Sequence, residues 1–351
     1  MLEMVPCVNT FGSSTTFATG RHPISIISGD LNNDTRLDLA VVNSGSNNVG
    51  VFLGNDDGTF QNQITCGVGT KPDSVVANDF NNDNILDLIT INSINNAAIV
   101  LLGNGNGTFQ RAKTYSAGLN PTSVTSGDFN SDSRQDLAIA NSNNNTVSIL
   151  LGNGDGSFQK QVMHTAGKST FSIISSDFNN DSKLDLALAN ADSDDVGILL
   201  GNGNGAFLTQ TTYSTDVYPV SVISSDFNND GNIDLAVVNY ANNSVNVLLG
   251  DGKGNFQSQI TYSTGKRPVV IKAGNFNNDA NIDLVVVNSG SDSISVLLGN
   301  GDGTFQTQRT YKTGNSPSSL AMGDFNNDAK LDMVVTNFID DSATIFLNIC
   351  P

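Results

Sequence analysis

The feature that most constrains the fold of this chain is a nine-residue acidic motif that recurs at a fixed interval of 49 residues. Its first copy, residues 30–38, has side-chain oxygens at positions one, three, five and nine. The seven copies begin, with no insertion or deletion between them, at Asp30, Asp79, Asp128, Asp177, Asp226, Asn275 and Asp324. A period of this length indicates a repeat architecture, either a propeller or a solenoid.

The residues within each repeat favour strands over helices. The chain is rich in Asn, Gly, Ser and Thr, and only 14% of its residues are charged, which is typical of short strands joined by turns. The first full repeat predicts strands at residues 24–28, 37–42, 49–53 and 60–66. The second is almost entirely apolar, so we expect it to be buried on both faces. Four antiparallel strands in each of seven repeats predict an all-β, seven-bladed β-propeller.

The two ends of the chain complement each other in the repeat. Residues 11–17 align with the last strand of the first repeat, and the seventh repeat stops at residue 347, just before its own last strand. We therefore expect the N-terminal strand to complete the C-terminal blade and close the ring. The single domain, 1–351, then has blades at about 24–66, 73–115, 122–164, 171–213, 220–262, 269–311, and 318–347 plus 11–17.

The acidic motif has the ligand pattern of a calcium site. Alternate side chains of a tight loop point inward, so the oxygens of positions one, three, five and nine and the carbonyl of position seven can surround one hard cation. The candidate ligands at position one are the seven residues at which the copies begin. Those at position three are Asn32, Asn81, Asn130, Asn179, Asn228, Asn277 and Asn326, and those at position five are Asp34, Asp83, Asp132, Asp181, Asp230, Asp279 and Asp328. Those at position seven are Arg36, Ile85, Arg134, Lys183, Asn232, Asn281 and Lys330, and those at position nine are Asp38, Asp87, Asp136, Asp185, Asp234, Asp283 and Asp332.

We expect about six to seven Ca²⁺ ions per chain, with the weakest site at Asn275, where one carboxylate is missing. The alternative is that the loops are solvated turns that bind no metal.

The loops hold 20 of the 34 acidic residues, and the other 14 face 16 basic residues, so the net charge of −18 is local to the loops. This balance argues against nucleic-acid binding, which needs basic patches. No apolar run is long enough for a membrane span, so we expect no membrane insertion.

The cysteines suggest a clasp between the two ends. Cys7 and Cys350 are 343 residues apart, which is seven periods of 49, so a closed ring would bring them together. We interpret them as a disulfide, which implies an oxidising, extracellular or cell-surface location.

Cys66 replaces an aromatic residue of other repeats and is expected to fill core space. No signal peptide is visible, so we expect that an export signal was removed from this chain.

Four segments of the third repeat carry a family likeness. They are Gly-Leu-Asn-Pro at 118–121, Gly-Asp-Phe-Asn-Ser-Asp at 127–132, Asp-Leu-Ala at 136–138 and Leu-Gly-Asn-Gly-Asp-Gly-Ser-Phe at 151–158. They resemble the FG-GAP repeat, also called the VCBS repeat, of the integrin alpha-subunit propeller, and the likeness spans about residues 11–347. It implies a calcium-binding propeller used for adhesion or recognition outside the cell. It also implies that calcium is held by loop positions one, three, five and nine and by the carbonyl of position seven.

The chain departs from the family pattern at loop position six, where the family usually has glycine. This position holds Thr35, Asn84, Ser133, Ser182, Gly231, Ala280 and Ala329. If the turn requires a positive φ, Gly231 and Asn84 fit best, and threonine and alanine fit worst. We therefore expect calcium affinity to vary among the loops.

Alternation of strand direction separates two ends of the propeller. The acidic loops and the glycine-rich turns lie on one end, which we call the loop face. The turns between second and third strands and the links between blades lie on the other, which we call the link face. Because recognition residues usually lie on loops of a rigid frame, we expect the link face to bind a protein or glycan partner. The candidate partner-binding residues are Arg21, His22, Lys71, Tyr218, Lys266 and Arg267.

Three classes of function remain open. The first is a non-catalytic, monomeric recognition or adhesion module that binds calcium. The second is a purely structural repeat domain of a larger surface protein. The third is a polysaccharide-active enzyme, which is disfavoured because His22 and His164 are the only histidines and fall on different blades. A lectin would belong to the first class. The absence of Trp argues against a lectin, although Tyr and Phe can also stack on sugars.

Overall fold

The computed structural model describes residues 10–257 and 259–350. Cys7 lies outside the described residues, so its pairing with Cys350 stays a prediction. Cys350 itself is buried. Cys66 is a free thiol that is half-buried and packs against the core of the first blade, as expected.

The described chain folds into seven sheets, each of four antiparallel strands. The first strands are β2 Pro23–Gly29, β6 Pro72–Asn78, β10 Pro121–Gly127, β14 Thr170–Ser176, β18 Pro219–Ser225, β22 Pro268–Gly274 and β26 Pro317–Gly323. The second strands are β3 Asp38–Asn43, β7 Asp87–Asn92, β11 Asp136–Asn141, β15 Asp185–Asn190, β19 Asp234–Asn239, β23 Asp283–Asn288 and β27 Asp332–Asn337. The third strands are β4 Asn48–Phe52, β8 Ala97–Gly103, β12 Thr146–Leu150, β16 Asp195–Leu199, β20 Ser244–Leu248, β24 Ser293–Leu297 and β28 Ser342–Phe346. The fourth, outer strands are β5 Ile64–Gly67, β9 Phe109–Ser116, β13 Val162–Thr165, β17 Thr211–Ser214, β21 Ile260–Ser263, β25 Arg309–Lys312 and β1 Thr15–Ala18.

Helix is nearly absent from residues 10–257 and 259–350. Its one occurrence there is a single 3-10 turn, Ala191–Ser193. A helix of sufficient length and apolar character to cross a membrane does not occur in this part of the chain.

The seven blades form a closed ring. The first strands of neighbouring blades contact one another all the way round, including β26 of the seventh blade with β2 of the first. They are therefore the innermost strands and surround the axis. The seventh blade takes its outer strand from the N-terminus, with Thr15 paired to Ile345 and Ala18 paired to Ser342. This confirms the predicted seven-bladed propeller and its closure by the N-terminal strand.

The second strands are the most deeply buried elements, and the outer strands are the least regular. Every residue of Asp38–Asn43 is buried, as its apolar sequence predicts. The outer strand of the first blade is shorter than the predicted residues 60–66, because it pairs only over Ile64–Gly67. The backbone N–H of Gln61 donates to the carbonyl of Leu53 (2.8 Å) to close the glycine-rich turn. The chain therefore leaves that turn before it joins the sheet.

Large apolar residues at loop position two fill the space between neighbouring blades. Phe129 is 2% exposed and packs with Ala140 and Ile149 of its own blade and with Ile173 and Leu188 of the next. The equivalent residues are Leu31, Phe80, Phe178, Phe227, Phe276 and Phe325. Each sheet thus buries its apolar face against its neighbour, which a single four-stranded sheet could not do.

Phe129→Ala should lower the free energy of unfolding by about 3–5 kcal/mol, because it leaves a cavity between the third and fourth blades. Phe129→Leu is the matched control and should cost distinctly less, since the first blade already holds Leu31 at this position. Urea unfolding followed by circular dichroism measures both. Equal losses from the two variants would show that packing between blades is not what this position provides.

Candidate functional site

The acidic loops join the first and second strands of each blade on the loop face, and each is closed by its own hydrogen bonds. In the first loop, the backbone N–H of Asp34 donates to Asp30 Oδ1 and to Asn32 Oδ1, both at 3.1 Å. Asp30 Oδ2 accepts from the N–H of Thr35 (2.8 Å), and Asp34 Oδ1 accepts from the N–H of Arg36 (3.0 Å). Since the oxygens of positions one and three share one donor, they lie close together on the inner side of the turn.

This shared donor recurs around the ring. The N–H of position five bonds the oxygens of positions one and three, at 3.0–3.3 Å, in the loops that begin at Asp79, Asp128, Asp177, Asp226 and Asp324. The loop that begins at Asn275 differs, because its position-five N–H bonds only Asn277 Oδ1 (3.2 Å). The side-chain oxygen of Asn275 is buried and has no hydrogen-bond partner among the described residues. The replacement of aspartate by Asn275 therefore removes the shared hydrogen bond and leaves one buried oxygen without a partner among the described residues.

Position nine has a structural role that the motif itself does not reveal. Asp38 is fully buried, and its two oxygens accept from the N–H groups of Leu31 and Gly54, both at 2.9 Å. It thereby ties the acidic loop to the glycine-rich turn of the same blade. Burial raises the pKa of Asp38 to about 6, although the two hydrogen bonds oppose the shift. The same two bonds are made by Asp87, Asp136, Asp185, Asp234 and Asp283. In the seventh blade Asp332 accepts from the N–H groups of Phe325 and Asn348.

Loop position six has a left-handed backbone in all seven loops. Its φ is 70° at Thr35 and Ala280, 63° at Ala329 and 83° at Gly231. A residue with a Cβ is disfavoured in this conformation by about 1–2 kcal/mol, and glycine is not. Threonine and alanine are therefore strained where the family pattern has glycine.

Basic side chains at position seven compete for the position-five carboxylate in some loops. The Arg36 guanidinium pairs with Asp34, and Lys183 Nζ lies 3.2 Å from Asp181 Oδ2. Although partial burial opposes the shift, hydrogen bonds from the Arg36 backbone and side chain and from Asn32 lower the pKa of Asp34. In the loop that begins at Asp226, position seven is an uncharged asparagine, so this competition is absent there.

In the part of the chain that the structure describes, no three His, Cys, Asp or Glu side chains are grouped as a metal centre. The loop oxygens are taken up by backbone N–H donors, so the loop can close without a cation. The donor set nevertheless fits calcium, because it consists of carboxylate and amide oxygens on the inner side of a turn. The unpartnered oxygen of Asn275 is also an atom that a cation would satisfy.

The candidate partner residues lie on the link face, where each link enters the next first strand. His22, Lys71, Tyr218 and Arg267 have φ values of 49–64° and directly precede a proline. Each donates its backbone N–H to an Asn or Asp side chain on the turn of the preceding blade, as His22 does to Asp341 Oδ1 (2.7 Å). These residues therefore have fixed backbones.

A cavity of about 670 Å³ opens on the axis at the link face and is lined by residues of all seven blades. We call it the axial cavity. Of the six candidate partner residues, the structure brings Lys71 and Tyr218 to this cavity and leaves outside it Arg21, His22, Lys266 and Arg267. Sequence reasoning missed Phe171, which also lines the cavity. The repeat alignment could have revealed it, because the equivalent residues of other blades include Asp73 and Thr122, which are not aromatic.

The two histidines lie apart from each other, and each packs against an aromatic ring. His22 stacks on Phe338, with ring centroids 4.6 Å apart and planes inclined by 15°. His164 packs edge-on against Phe207 at 5.5 Å, and burial lowers its pKa. The two side chains belong to different blades and do not form a joint site.

Lys272 is an isolated cation on the first strand of the sixth blade. Its side chain is exposed to solvent, yet the surrounding protein lowers its pKa by desolvation. No described acidic residue forms an ion pair with it.

Ala280→Gly should raise the free energy of unfolding by about 1 kcal/mol, because it relieves the left-handed backbone at position six. Gly231→Ala is the reciprocal variant and should lower it by a similar amount. A Cβ at Gly231 would meet no atom within 4 Å, so this variant changes backbone strain without a steric clash. Thermal melts of both variants measure the effect. The strain interpretation is contradicted if both changes move the melting temperature in the same direction.

Comparison with solved structures finds the same fold in proteins of low sequence identity. The chain is similar to BBS1N, solved in complex with ARL6DN, with a TM-score of 0.70, 11% identity and coverage of 99% of this chain and 98% of that one. A protein from Lactobacillus plantarum matches with a TM-score of 0.64, 19% identity and coverage of 85% and 86%. A lectin from Agrocybe aegerita, described as recognising non-reducing terminal N-acetylglucosamine, matches with a TM-score of 0.57, 16% identity and coverage of 90% and 86%.

Comparison with curated proteins finds no match. The model of the FG-GAP-like repeat matches six overlapping stretches, at residues 30–90, 79–139, 128–188, 177–237, 226–286 and 275–335. Each stretch runs from one acidic loop to just beyond the next, so the match follows the period that defines the blades. The chain therefore belongs to the FG-GAP-like repeat family.

Proposed function

We propose that this propeller is a non-catalytic recognition module that is stabilised by calcium and acts outside the cell as a monomer. The observation that carries the proposal is the recurrence, in six of the seven loops, of position-one and position-three oxygens that share one donor on the inner side of the turn. Within the same loop, the carboxylates of Asp34 and Asp30 oppose the ionisation of Asp38, which is an electrostatic cost unless a cation or protons balance it. Calcium would supply that balancing charge.

The residues that would hold calcium are those of loop positions one, three, five and nine, with the carbonyl of position seven. The loop at residues 226–234 should bind most tightly, because Gly231 avoids backbone strain and Asp230 has no basic neighbour at position seven. The loop at residues 275–283 should bind most weakly, because it has two carboxylates and strain at Ala280. Ions that bind only the folded state would stabilise it by mass action.

The recognition part of the proposal concerns the link face. Two solved propellers of similar shape are described with a protein partner and with a glycan, respectively, so this architecture accommodates both kinds of ligand. In this chain the links have fixed backbones and varied side chains, and they surround the axial cavity. Binding surfaces are commonly built in this way, from varied side chains on a rigid frame.

Calorimetric titration of chelator-treated, desalted protein with CaCl₂ should show six to seven sites per chain and a weaker response to MgCl₂. Asp230→Asn should remove or weaken one site. Asp251→Asn is the matched control, since Asp251 lies in the glycine-rich turn of the same blade and is exposed, and it should leave the number of sites unchanged. Absence of binding heat at millimolar CaCl₂ would contradict the calcium part of the proposal.

The stabilisation by calcium should depend on pH. The pKa of the position-nine carboxyl group is raised to about 6 in six loops, at Asp38, Asp87, Asp136, Asp185, Asp283 and Asp332. Because the folded-state pKa lies above the unfolded value, the protonated carboxyl groups themselves stabilise the metal-free fold below about pH 4, and that contribution is lost as the pH rises through 6. Calcium favours the ionised form, so its effect on the melting temperature should be large at pH 7 and small at pH 4. An equal shift at both pH values would contradict this linkage.

A further inference from the structure

We propose that the axial cavity on the link face binds a neutral saccharide, which stacks on Tyr218 and Tyr240 and hydrogen-bonds to a ring of serine hydroxyls. This inference rests on the proposed function, because it names the ligand class and the place of recognition. The cavity volume of about 670 Å³ falls within the range of small-molecule sites and suits a mono- or disaccharide.

One wall of the axial cavity is aromatic. The ring centroid of Tyr218 lies 6.1 Å from that of Tyr240 and 5.9 Å from that of Phe171, with planes inclined by 57° and 47°. All three side chains are half-buried and line the cavity. The hydroxyl groups of the two tyrosines make no hydrogen bond to the described residues. The wall therefore offers apolar ring faces with free polar ends, a combination that suits an amphipathic sugar ring.

The rest of the lining is dominated by hydroxyl groups. The third residue of the first strand is serine in six blades and valine in the sixth, giving a ring around the axis of Ser25, Ser74, Ser123, Ser172, Ser221, Val270 and Ser319. The hydroxyl oxygens of Ser123, Ser172 and Ser221 accept from backbone N–H groups of the next blade at 3.3–3.4 Å. Their O–H protons remain free to be donated to a ligand.

The charge of the cavity favours a neutral ligand. Among the described residues, its only charged lining side chains are Lys71 and Asp73, which lie two positions apart in the second blade and are of opposite sign. Asp73 Oδ2 also accepts from the N–H of Ser93 (2.8 Å). Although the chain carries a net charge of −18, this site thus has no excess of either sign. A cluster of basic residues, which an acidic peptide would require, is absent from this described lining.

One residue of the aromatic wall, Tyr218, has an unfavourable backbone conformation. Tyr218 has a φ of 64° and directly precedes Pro219, a combination that is unfavourable for a bulky residue. The third blade has Asn120 at the same position, and asparagine tolerates a left-handed backbone well. Such strain concentrates at functional sites. His22 and Arg267 have the same left-handed backbone before a proline and lie outside the cavity, so what distinguishes Tyr218 is the place of its ring in the aromatic wall.

The test uses the folded, calcium-saturated chain on an array of neutral and acidic glycans. The best neutral glycan and the methyl glycosides of glucose, galactose, mannose and N-acetylglucosamine are then titrated by calorimetry. Tyr240→Ser and Tyr218→Asn introduce residues that other blades carry at these positions, so both variants should fold. Each should weaken binding at least tenfold, and Tyr218→Asn should also raise the melting temperature. Ser169→Asn is the matched control, because it places the same residue at the equivalent position of the fourth blade, outside the cavity lining, and it should change affinity less than twofold.

A neutral glycan whose binding is lost in both tyrosine variants and kept in Ser169→Asn supports the inference. It is overturned if no neutral glycan binds, if only acidic glycans bind, or if the tyrosine variants bind as well as the parent chain. Calcium binding in the titration described above is independent of these outcomes. Failure of glycan binding with intact calcium sites would therefore overturn the saccharide inference and leave the calcium-stabilised module standing.

Discussion

In six of the seven blades, a buried carboxylate at the loop face accepts hydrogen bonds from two separate turns, and in the seventh blade Asn348 takes the place of the second turn. In the first blade, Asp38 joins the acidic loop through Leu31 and the glycine-rich turn through Gly54. The two turns approach closely, and in the third blade a Cβ at Gly152 would lie 2.2 Å from the carbonyl oxygen of Gln135. Only glycine permits this approach. The position-nine aspartate therefore fixes the loop that carries the other candidate calcium ligands.

This arrangement gives the acidic loop two functions that are coupled. The loop connects the first and second strands of its blade, and it gathers carboxylate and amide oxygens on its inner side. Ionisation of the buried carboxyl groups is opposed by desolvation, which raises their pKa to about 6 in six loops. A bound cation would relieve the same electrostatic cost in every blade. Stability and metal binding should therefore be inseparable in this propeller.

The sequence predicted the architecture well because the period leaves little freedom. Seven copies in strict register determine the number of blades, and the alignment of residues 11–17 predicts how the ring closes. The outer strands were harder to predict, because a local turn at Gln61 decides where pairing begins. The axial cavity could not be inferred from one repeat. It arises only when side chains that are distant in sequence, such as Phe171 and Tyr240, meet around the axis.

The blades are nearly equivalent on the loop face and differ from each other on the link face. Six loops share one hydrogen-bond pattern, whereas the links and turns place aromatic residues in only some blades. Uniform geometry on one end thus supports varied chemistry on the other. The axial cavity shows this most clearly, since its serine ring repeats from blade to blade and its aromatic wall belongs to the fourth and fifth blades.

The most direct test of the calcium assignment is anomalous diffraction from crystals grown with CaCl₂. The account predicts anomalous peaks inside the acidic loops, strongest in the loop at residues 226–234 and weakest or missing in the loop at residues 275–283. Loops that keep their hydrogen bonds and show no anomalous peak at saturating CaCl₂ would contradict it.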